Sequence, residues 1–303
     1  MNDQESGWVV PRLEAQRVLD SLQSPVQSVA GYTTLEVLQQ QARDRTAYQA
    51  YHAVPELKHT LTGIVERFGE PARMQMMQAL LASFIRDFNA EELPFRITED
   101  VQALYQQSFM RILAAPAGHW QIDDIFFKDL ALVSGYLFPA GERVIEPFSA
   151  LQRSLALTGG ARQGWRFVRA CLAAGGNRPV FRLHVHLSEA PSLSAQSWRL
   201  TCIRLARMLR INPGIKGIAG AAWFYDPAVV QVSPHLHFIN DMLAGQGASW
   251  FFSHIEGENS GALISSTTRQ QAYAAGRYVP RNYSMFWPRR CALRWLETQQ
   301  VEP

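Results

Sequence analysis

The feature that most constrains the fold is a change in the spacing of apolar residues near residue 158. Before it, apolar side chains recur at helical spacing, and after it short segments alternate apolar and polar residues, as half-buried strands do. We therefore predict an all-helical domain over residues 1–158, with no strand joining the sheet of a second domain at 159–303. The predicted helices of the first domain cover residues 11–22, 34–51, 56–68, 72–88, 98–113 and 123–134.

The second domain is predicted to alternate strands and helices, which indicates an α/β (or α+β) fold with helices packed on one sheet. The glycine-rich segment 158–164 lacks the lysine of a phosphate-binding loop, so we interpret it as a linker before a short helix. The predicted strands are residues 179–187, 215–225, 248–255 and 281–288, with helices at 195–209 and 266–277.

Two His-x-His pairs lie in this domain. His184 and His186 alternate with the apolar residues of the first strand, so both are expected on its polar face, and His235 and His237 form the second pair. Such pairs can hold a divalent metal, which keeps a metal-dependent hydrolase, oxygenase or nuclease open as an alternative. No acid-rich segment accompanies them, so we expect no third ligand beside His184 and His186 and favour no metal.

The carboxyl ends of the predicted strands carry the candidate site. Ligands of open α/β sheets bind at these ends. The candidate catalytic residues are His184, His186 and Glu256 as bases and Tyr225 as an acid, and the candidate ligand-binding residues are Asp226, Arg277, Arg281 and Tyr283. Two plainer interpretations remain open, because aspartate before proline suits a turn and the arginines could line an amphipathic edge.

Net charge, apolar runs and cysteine content limit the kinds of partner and the cell compartment that we expect for this chain. The net charge of +3 is too small to require nucleic acid or a membrane, and no run of about 18 apolar residues predicts a span. The amino terminus is polar, unlike an export signal. Cys171, Cys202 and Cys291 are widely separated and predict no disulfide framework, so we expect a cytoplasmic protein with a small-molecule partner.

About 55 residues of the second predicted domain resemble a known group of proteins. His184-Val185-His186-Leu187 with Pro191, the helix that follows, Ala222-Trp223-Phe224-Tyr225-Asp226-Pro227 and Ser233-Pro234 resemble bacterial acyltransferase-domain proteins related to the GNAT superfamily of N-acetyltransferases. The segment 189–194 has no glycine, unlike the cofactor loop of that superfamily.

The resemblance implies a mixed-sheet GNAT-like second domain that moves an acyl group from acyl-CoA to an amine. Acyl transfer needs a base for the amine and an acid for the departing thiolate. A non-catalytic ligand- or protein-binding module is the remaining alternative.

Overall fold

A computed structural model describes residues 3–45, 49–188 and 193–299. The chain divides into two compact units, unit 1 with Met1–Glu146 and Val185–Pro191, and unit 2 with Pro147–His184 and Ser192–Pro303. Helices and one mixed sheet make up the fold, which confirms the α/β class with a helical amino-terminal region. The domain boundary near residue 158 stays a prediction. Among the described residues, no helix is long and apolar enough to cross a membrane.

Unit 1 is built around one buried helix, α5. Its apolar residues surround the helix axis, and it contacts α1, α2, α3, α4, α6 and α7. The wide apolar stripe predicted a core helix, and the burial of α5 confirms it. The helices of unit 1 are α1 (Asp3–Ser21), α2 (Gln23–Ser28), α3 (Leu35–Arg43), α4 (Pro55–Phe68), α5 (Glu70–Arg86), α6 (Glu99–Ala114) and α7 (Asp123–Val133).

The expectation that no strand of the sheet precedes residue 158 is wrong. β1 (Phe138–Pro139) pairs antiparallel with β2 (Arg143–Ser149), and the turn between them contains Gly141 at φ 105°. Short apolar runs cannot be assigned to helix or strand by periodicity alone, whereas the glycine that permits this turn is visible in the sequence.

Unit 2 contains the four predicted strands, each within a few residues of its expected bounds. β3 and β4 are parallel, β4 pairs antiparallel with β6, and β6 pairs antiparallel with β5. The strand order of the whole sheet is β1-β2-β3-β4-β6-β5. The later elements are α8 (Leu155–Thr158), α9 (Gly160–Ala174), β3 (Val180–Val185), α10 (Ala195–Ile211), β4 (Gly217–Ala222), α11 (Val229–Val232), α12 (His237–Asp241), β5 (Ser249–Ile255), α13 (Gly261–Ile264), α14 (Thr267–Ala274), β6 (Arg281–Pro288) and α15 (Arg289–Gln299).

The segment expected to be a linker is helical. α9 begins at Gly160 and packs closely against α8, and a Cβ on Gly164 would lie 2.5 Å from the carbonyl oxygen of Ala156. Glycine is therefore required at Gly164 by helix packing, not by chain flexibility. Phe167 of α9 packs with Phe251 and Phe286 in the core of unit 2.

The tail that follows β6 carries Arg289, Arg290 and Arg294 and forms a helix that the sequence did not predict. α15 buries Trp295 and Leu296, and the ring of Trp295 lies 5.2 Å from the ring of Trp287. The arginines of this tail therefore belong to an amphipathic helix that contacts α10, β4 and β6.

Candidate functional site

The parallel pair β3 and β4 is joined by α10, so the carboxyl ends of both strands and the amino terminus of α10 lie at one edge of the sheet. The first turn of α10 is fixed by a capping box. Ser194 Oγ accepts the Ser197 N–H at 3.1 Å, and Ser197 Oγ accepts the Ser194 N–H at 2.8 Å. The first N–H groups of a helix favour anions, so this edge is suited to phosphate or carboxylate.

β4 consists mostly of glycine and alanine, which lets neighbouring groups pack closely against its backbone. A Cβ on Gly217 would lie 2.5 Å from the carbonyl oxygen of Trp287, so glycine lets β6 approach closely. The registered pairs of β3 and β4 end at Leu183 and Gly220. Ala221 comes next and is exposed, although β4 has a strand on each side. An extended ligand can therefore approach the backbone at this point.

Asp226 follows β4 after a short 3-10 turn, Trp223–Tyr225. Its Oδ1 accepts the Ala228 N–H at 3.0 Å, which confirms the predicted turn-forming role. The residue is only 2% exposed, and its Oδ2 has no hydrogen-bond partner among the described residues. Burial raises the pKa of Asp226, against the opposing effects of the Ala228 N–H and the Arg281 charge. Asp226 is thus a turn former with one buried oxygen left unsatisfied.

Tyr278 lies near enough to Asp226 for the carboxylate charge to raise the pKa of its phenol. Its hydroxyl is buried without a partner among the described residues, and burial together with the Asp226 charge raises its pKa to about 12. The phenol is therefore protonated at neutral pH and can donate a hydrogen bond to a ligand.

Arg269 supplies a buried positive charge to the same region. Its guanidinium donates to Ala262 O at 2.6 Å, Ser233 Oγ at 2.8 Å and Ser265 Oγ at 2.9 Å. It also stacks over the Trp223 ring at 4.3 Å. Burial lowers the pKa of Arg269, and Tyr278 partly offsets this. In the described residues it has no carboxylate partner, so its charge is balanced only by neutral oxygens.

A polar rim surrounds these buried groups. The Glu256 N–H donates to Pro280 O at 2.9 Å, and Glu256 Oε1 accepts from Asn282 Nδ2 at 2.7 Å. Arg281 is exposed and lowers the pKa of Asp226. We call Asp226, Glu256, Arg269, Tyr278, Arg281 and Asn282 the strand-end cluster. Three residues of the strand-end cluster, Asp226, Glu256 and Arg281, were predicted from sequence as site residues.

Three other predicted residues lie outside the cluster. Tyr225 is fully buried, and its hydroxyl packs against Gly220, where a Cβ would lie 2.6 Å away. Tyr283 pairs with Ala222 and packs its ring 5.7 Å from Phe252. Arg277 is exposed just beyond the end of α14. Tyr225 therefore packs over Gly220, and its role as an acid stays a prediction.

His184 and His186 do not share one polar face. β3 ends at Val185, and beyond it the alternation reverses, with His186 fully buried and Leu187 exposed. His184 is half-buried at the end of β3, on the face that alternation gives to Arg182. The catalytic role of His184 stays a prediction.

His186 belongs to a closed polar network in unit 1. Its Nε2 lies 3.0 Å from Asp129 Oδ1, and its Nδ1 accepts the Ser188 N–H at 3.2 Å. Asp129 also accepts from Arg111 Nη2 at 2.6 Å and from Trp120 Nε1 at 3.0 Å. Both ring nitrogens of His186 are engaged away from solvent, so this residue does not fit the predicted base and we leave it out of the site.

One half-exposed pair borders this network. Ser188 Oγ lies 3.1 Å from His119 Nε2, within the distance at which a histidine can take a serine proton. Asp129 contacts a neighbour of each member of this pair. It binds His186, which accepts the Ser188 N–H, and it accepts from Trp120, which follows His119 in the chain. Neither His119 nor Ser188 was singled out from sequence as a serine–histidine pair, since they lie 69 residues apart.

The second histidine pair is not on a strand. His235 lies in a 3-10 turn and His237 opens α12, where residues two apart point in different directions. His237 Nδ1 lies 2.9 Å from Pro234 O. The described part of the chain contains no group of three or more histidine, cysteine, aspartate or glutamate residues suited to a metal.

Sequence reasoning missed Tyr278, Arg269 and Asn282 as members of the cluster. A usable signal exists for Asn282, which directly follows Arg281 at the start of the fourth predicted strand. The segment 189–192, which contains Pro191, lies outside the described residues.

Comparisons with known proteins give one structural likeness. No family model matches the chain, and no curated protein matches it. A crystal structure described as an acyltransferase in complex with decanoyl-CoA resembles it with a TM-score of 0.40 and 13% sequence identity, over 88% of this chain and 98% of that chain.

Proposed function

We propose that the chain transfers an acyl group from an acyl-CoA-type thioester to an amine. The observation that carries this proposal is the presence of two unsatisfied buried atoms, Asp226 Oδ2 and Tyr278 Oη, in the strand-end cluster. A buried polar atom without a partner costs roughly 1–3 kcal/mol, so a ligand that satisfies it gains that energy on binding. An amine supplies the N–H donors that Asp226 Oδ2 lacks.

The same two residues have protonation states suited to acyl transfer. The raised pKa of Asp226 makes its carboxylate a better proton acceptor than an ordinary aspartate, and the protonated phenol of Tyr278 can donate. The amine nitrogen attacks the thioester carbonyl carbon, the C–N bond forms and the C–S bond breaks. Asp226 takes the amine proton, and Tyr278 protonates the thiolate before solvent exchange returns both residues to their starting states.

The donor is assigned to the edge where β3 and β4 end. The exposed Ala221 leaves β4 backbone groups accessible to the amides of a pantetheine arm, and the first turn of α10 and Arg281 offer positive potential to phosphates. Glu256, held by Asn282, and His184 are the alternative bases at the same edge.

The test is thiol release from acyl-CoA esters of graded chain length, with a panel of primary amines. Release that depends on both substrates supports the proposal. We expect Tyr278→Phe and Asp226→Asn each to lower kcat roughly 100-fold, because each removes a proton-transfer group. Tyr283→Phe is the matched control and should keep its activity.

Two outcomes would decide against acyl transfer. If acyl-CoA raises the melting temperature but no amine gives thiol release, the chain is a binding module. If acyl-CoA neither binds nor reacts, the assignment of the donor is wrong.

A second candidate function, hydrolysis of an ester or thioester, is favoured by the Ser188–His119 contact of 3.1 Å. In that reaction Ser188 Oγ would attack the carbonyl carbon and form an acyl ester as the C–O or C–S bond to the leaving group breaks, and its proton would pass through His119 to the departing alcohol or thiol. Water, giving a proton to His119, would then cleave the acyl ester, and His119 would return the proton to Ser188 as the acid leaves. Ser188→Ala separates the candidates, because it should abolish hydrolysis and leave amine-dependent thiol release unchanged.

A further inference from the structure

The outward side of α9 exposes large apolar residues. Trp165 is 69% exposed and Leu172 is 75% exposed, and Val168 lies between them along the helix. Leu157 at the end of α8 is 83% exposed. At about 100° per residue, Trp165, Val168 and Leu172 fall within a sector about 60° wide, so they form a stripe along the helix axis. The opposite side of α9 carries Phe167 into the core.

An arginine stripe runs beside the apolar stripe. Arg162, Arg166 and Arg169 are exposed and occupy the neighbouring sector, about 40–100° from Trp165 around the helix. The surrounding sequence has no opposing charge, since the chain between Glu146 and Glu189 contains six arginines and no acidic residue. We call these three arginines together with Trp165, Val168 and Leu172 the outer face of α9.

Each stripe borders an open groove. On the arginine side, a groove of about 330 Å³ is lined by Arg166, Arg169 and Arg290. On the other side, a groove of about 410 Å³ is lined mainly by apolar atoms, including those of Phe167 and Leu172. α9 therefore separates a basic depression from an apolar one.

We propose that the outer face of α9 docks on an anionic lipid surface. Exposed tryptophan and leucine can enter the boundary between headgroups and acyl chains, while arginines beside them contact lipid phosphates. The apolar stripe suits the acyl-chain boundary and the arginine stripe suits the headgroups, and the chain between Glu146 and Glu189 has no acidic residue that would repel anionic headgroups. A helix lying in the interface needs no membrane span. No membrane partner was expected from the sequence, because the sequence alone does not reveal that these apolar residues face outward.

The test is co-sedimentation of the full chain with vesicles of phosphatidylcholine mixed with phosphatidylserine, and with vesicles of phosphatidylcholine alone. We expect binding to the mixed vesicles that weakens as salt is raised, and much weaker binding to the neutral ones.

Variants separate the two stripes. Arg162→Gln with Arg169→Gln removes two charges worth about 1 kcal/mol each near an anionic surface, so affinity should fall about 30-fold. Leu172→Ala should weaken binding roughly tenfold at every salt concentration, because apolar insertion is not screened. The matched controls are Arg210→Gln and Ile264→Ala, since Arg210 is exposed and Ile264 is 70% exposed, both away from α9. All these side chains are at the surface, so each variant should keep the parent's melting temperature.

Three results would overturn the proposal. One is equal binding to neutral and mixed vesicles, and another is loss of binding in the control variants to the same degree. The third is reversible self-association in sedimentation velocity that Leu172→Ala abolishes while vesicles do not bind, which would make the face an interface between copies of this chain.

Discussion

Two buried aspartates in this chain occupy opposite environments. Asp129 in unit 1 accepts hydrogen bonds from Arg111, Trp120 and His186. Asp226 in unit 2 uses one oxygen for a turn and leaves the other without a partner among the described residues. Both side chains are almost fully buried, so burial alone does not distinguish them.

The pKa values follow the difference in partners. Burial raises the pKa of Asp129, but the hydrogen bonds from His186 and Arg111 and the Arg111 charge outweigh it and bring the value to about 2. For Asp226 burial prevails and the pKa is raised. A satisfied buried carboxylate stabilises a fold, whereas an unsatisfied one is available to a ligand. The comparison therefore favours a structural role for the Asp129 network and supports the proposed ligand site at the strand-end cluster.

The largest expected loss of folding stability comes from replacing Asp129. Asp129→Asn should lower the free energy of unfolding by about 3 kcal/mol, because the Arg111 guanidinium loses the carboxylate that balances it in a buried site. Urea titration measures this. A loss below about 1 kcal/mol would mean that the network contributes little, and the contrast with Asp226 would fail.

A pH dependence should accompany this loss. The folded pKa of Asp129, about 2, lies below its ordinary value of 3.8, so its stabilising contribution is complete above pH 3.8 and is lost as the pH falls toward 2. Asp129→Asn should lack this component of acid unfolding. Parallel urea titrations of parent and variant between neutral and acidic pH would measure it, and identical pH profiles would contradict it.

Replacing the exposed Arg281 tests whether the strand-end cluster binds a phosphate-bearing donor. Arg281→Ala should weaken binding of a phosphate-bearing donor by about 1.5 kcal/mol, roughly tenfold, if a charge-assisted hydrogen bond is lost. Folding stability should change little because Arg281 is exposed. Arg277, predicted from sequence for the same role, is the control, since its side chain makes no hydrogen bond to another described residue. Isothermal titration with acyl-CoA checks both, and equal losses would return Arg277 to the site.

The sequence predicted helices and strands better than it predicted which distant residues contact one another. Helices α1 and α3 to α7 of unit 1 and all four strands of unit 2 were predicted from apolar spacing, which repeats over many residues, whereas the short helix α2 was not. The β1–β2 pair, the start of α9 at Gly160 and the helix α15 were missed because each is set by close packing rather than by a long periodic pattern.

The site shows the same limit. Asp226, Glu256 and Arg281 could be predicted because they directly follow or begin the predicted strands, and the ends of these strands meet at one edge of the sheet. Tyr278 and Arg269 could not, since only the folding of α14 against the turn after β4 makes them neighbours. His186 was misplaced for a related reason. Strand alternation predicts a polar face, but the hydrogen-bonding demand of Asp129, 57 residues earlier, turns His186 inward.

Asp226→Asn is expected to have the smallest effect on stability and gives the sharpest test of the comparison. Asparagine keeps the oxygen that accepts the Ala228 N–H, so the turn survives. Because the folded pKa of Asp226 is raised, the parent loses stability as the pH rises above 3.8 toward that folded value, which is opposite to Asp129. The variant should therefore match or exceed the parent at neutral pH, within about 0.5 kcal/mol, and lose this slope. Urea titrations at several pH values measure both quantities. A destabilisation comparable to that of Asp129→Asn would show that Asp226 is a structural carboxylate and remove the basis for placing the amine beside it.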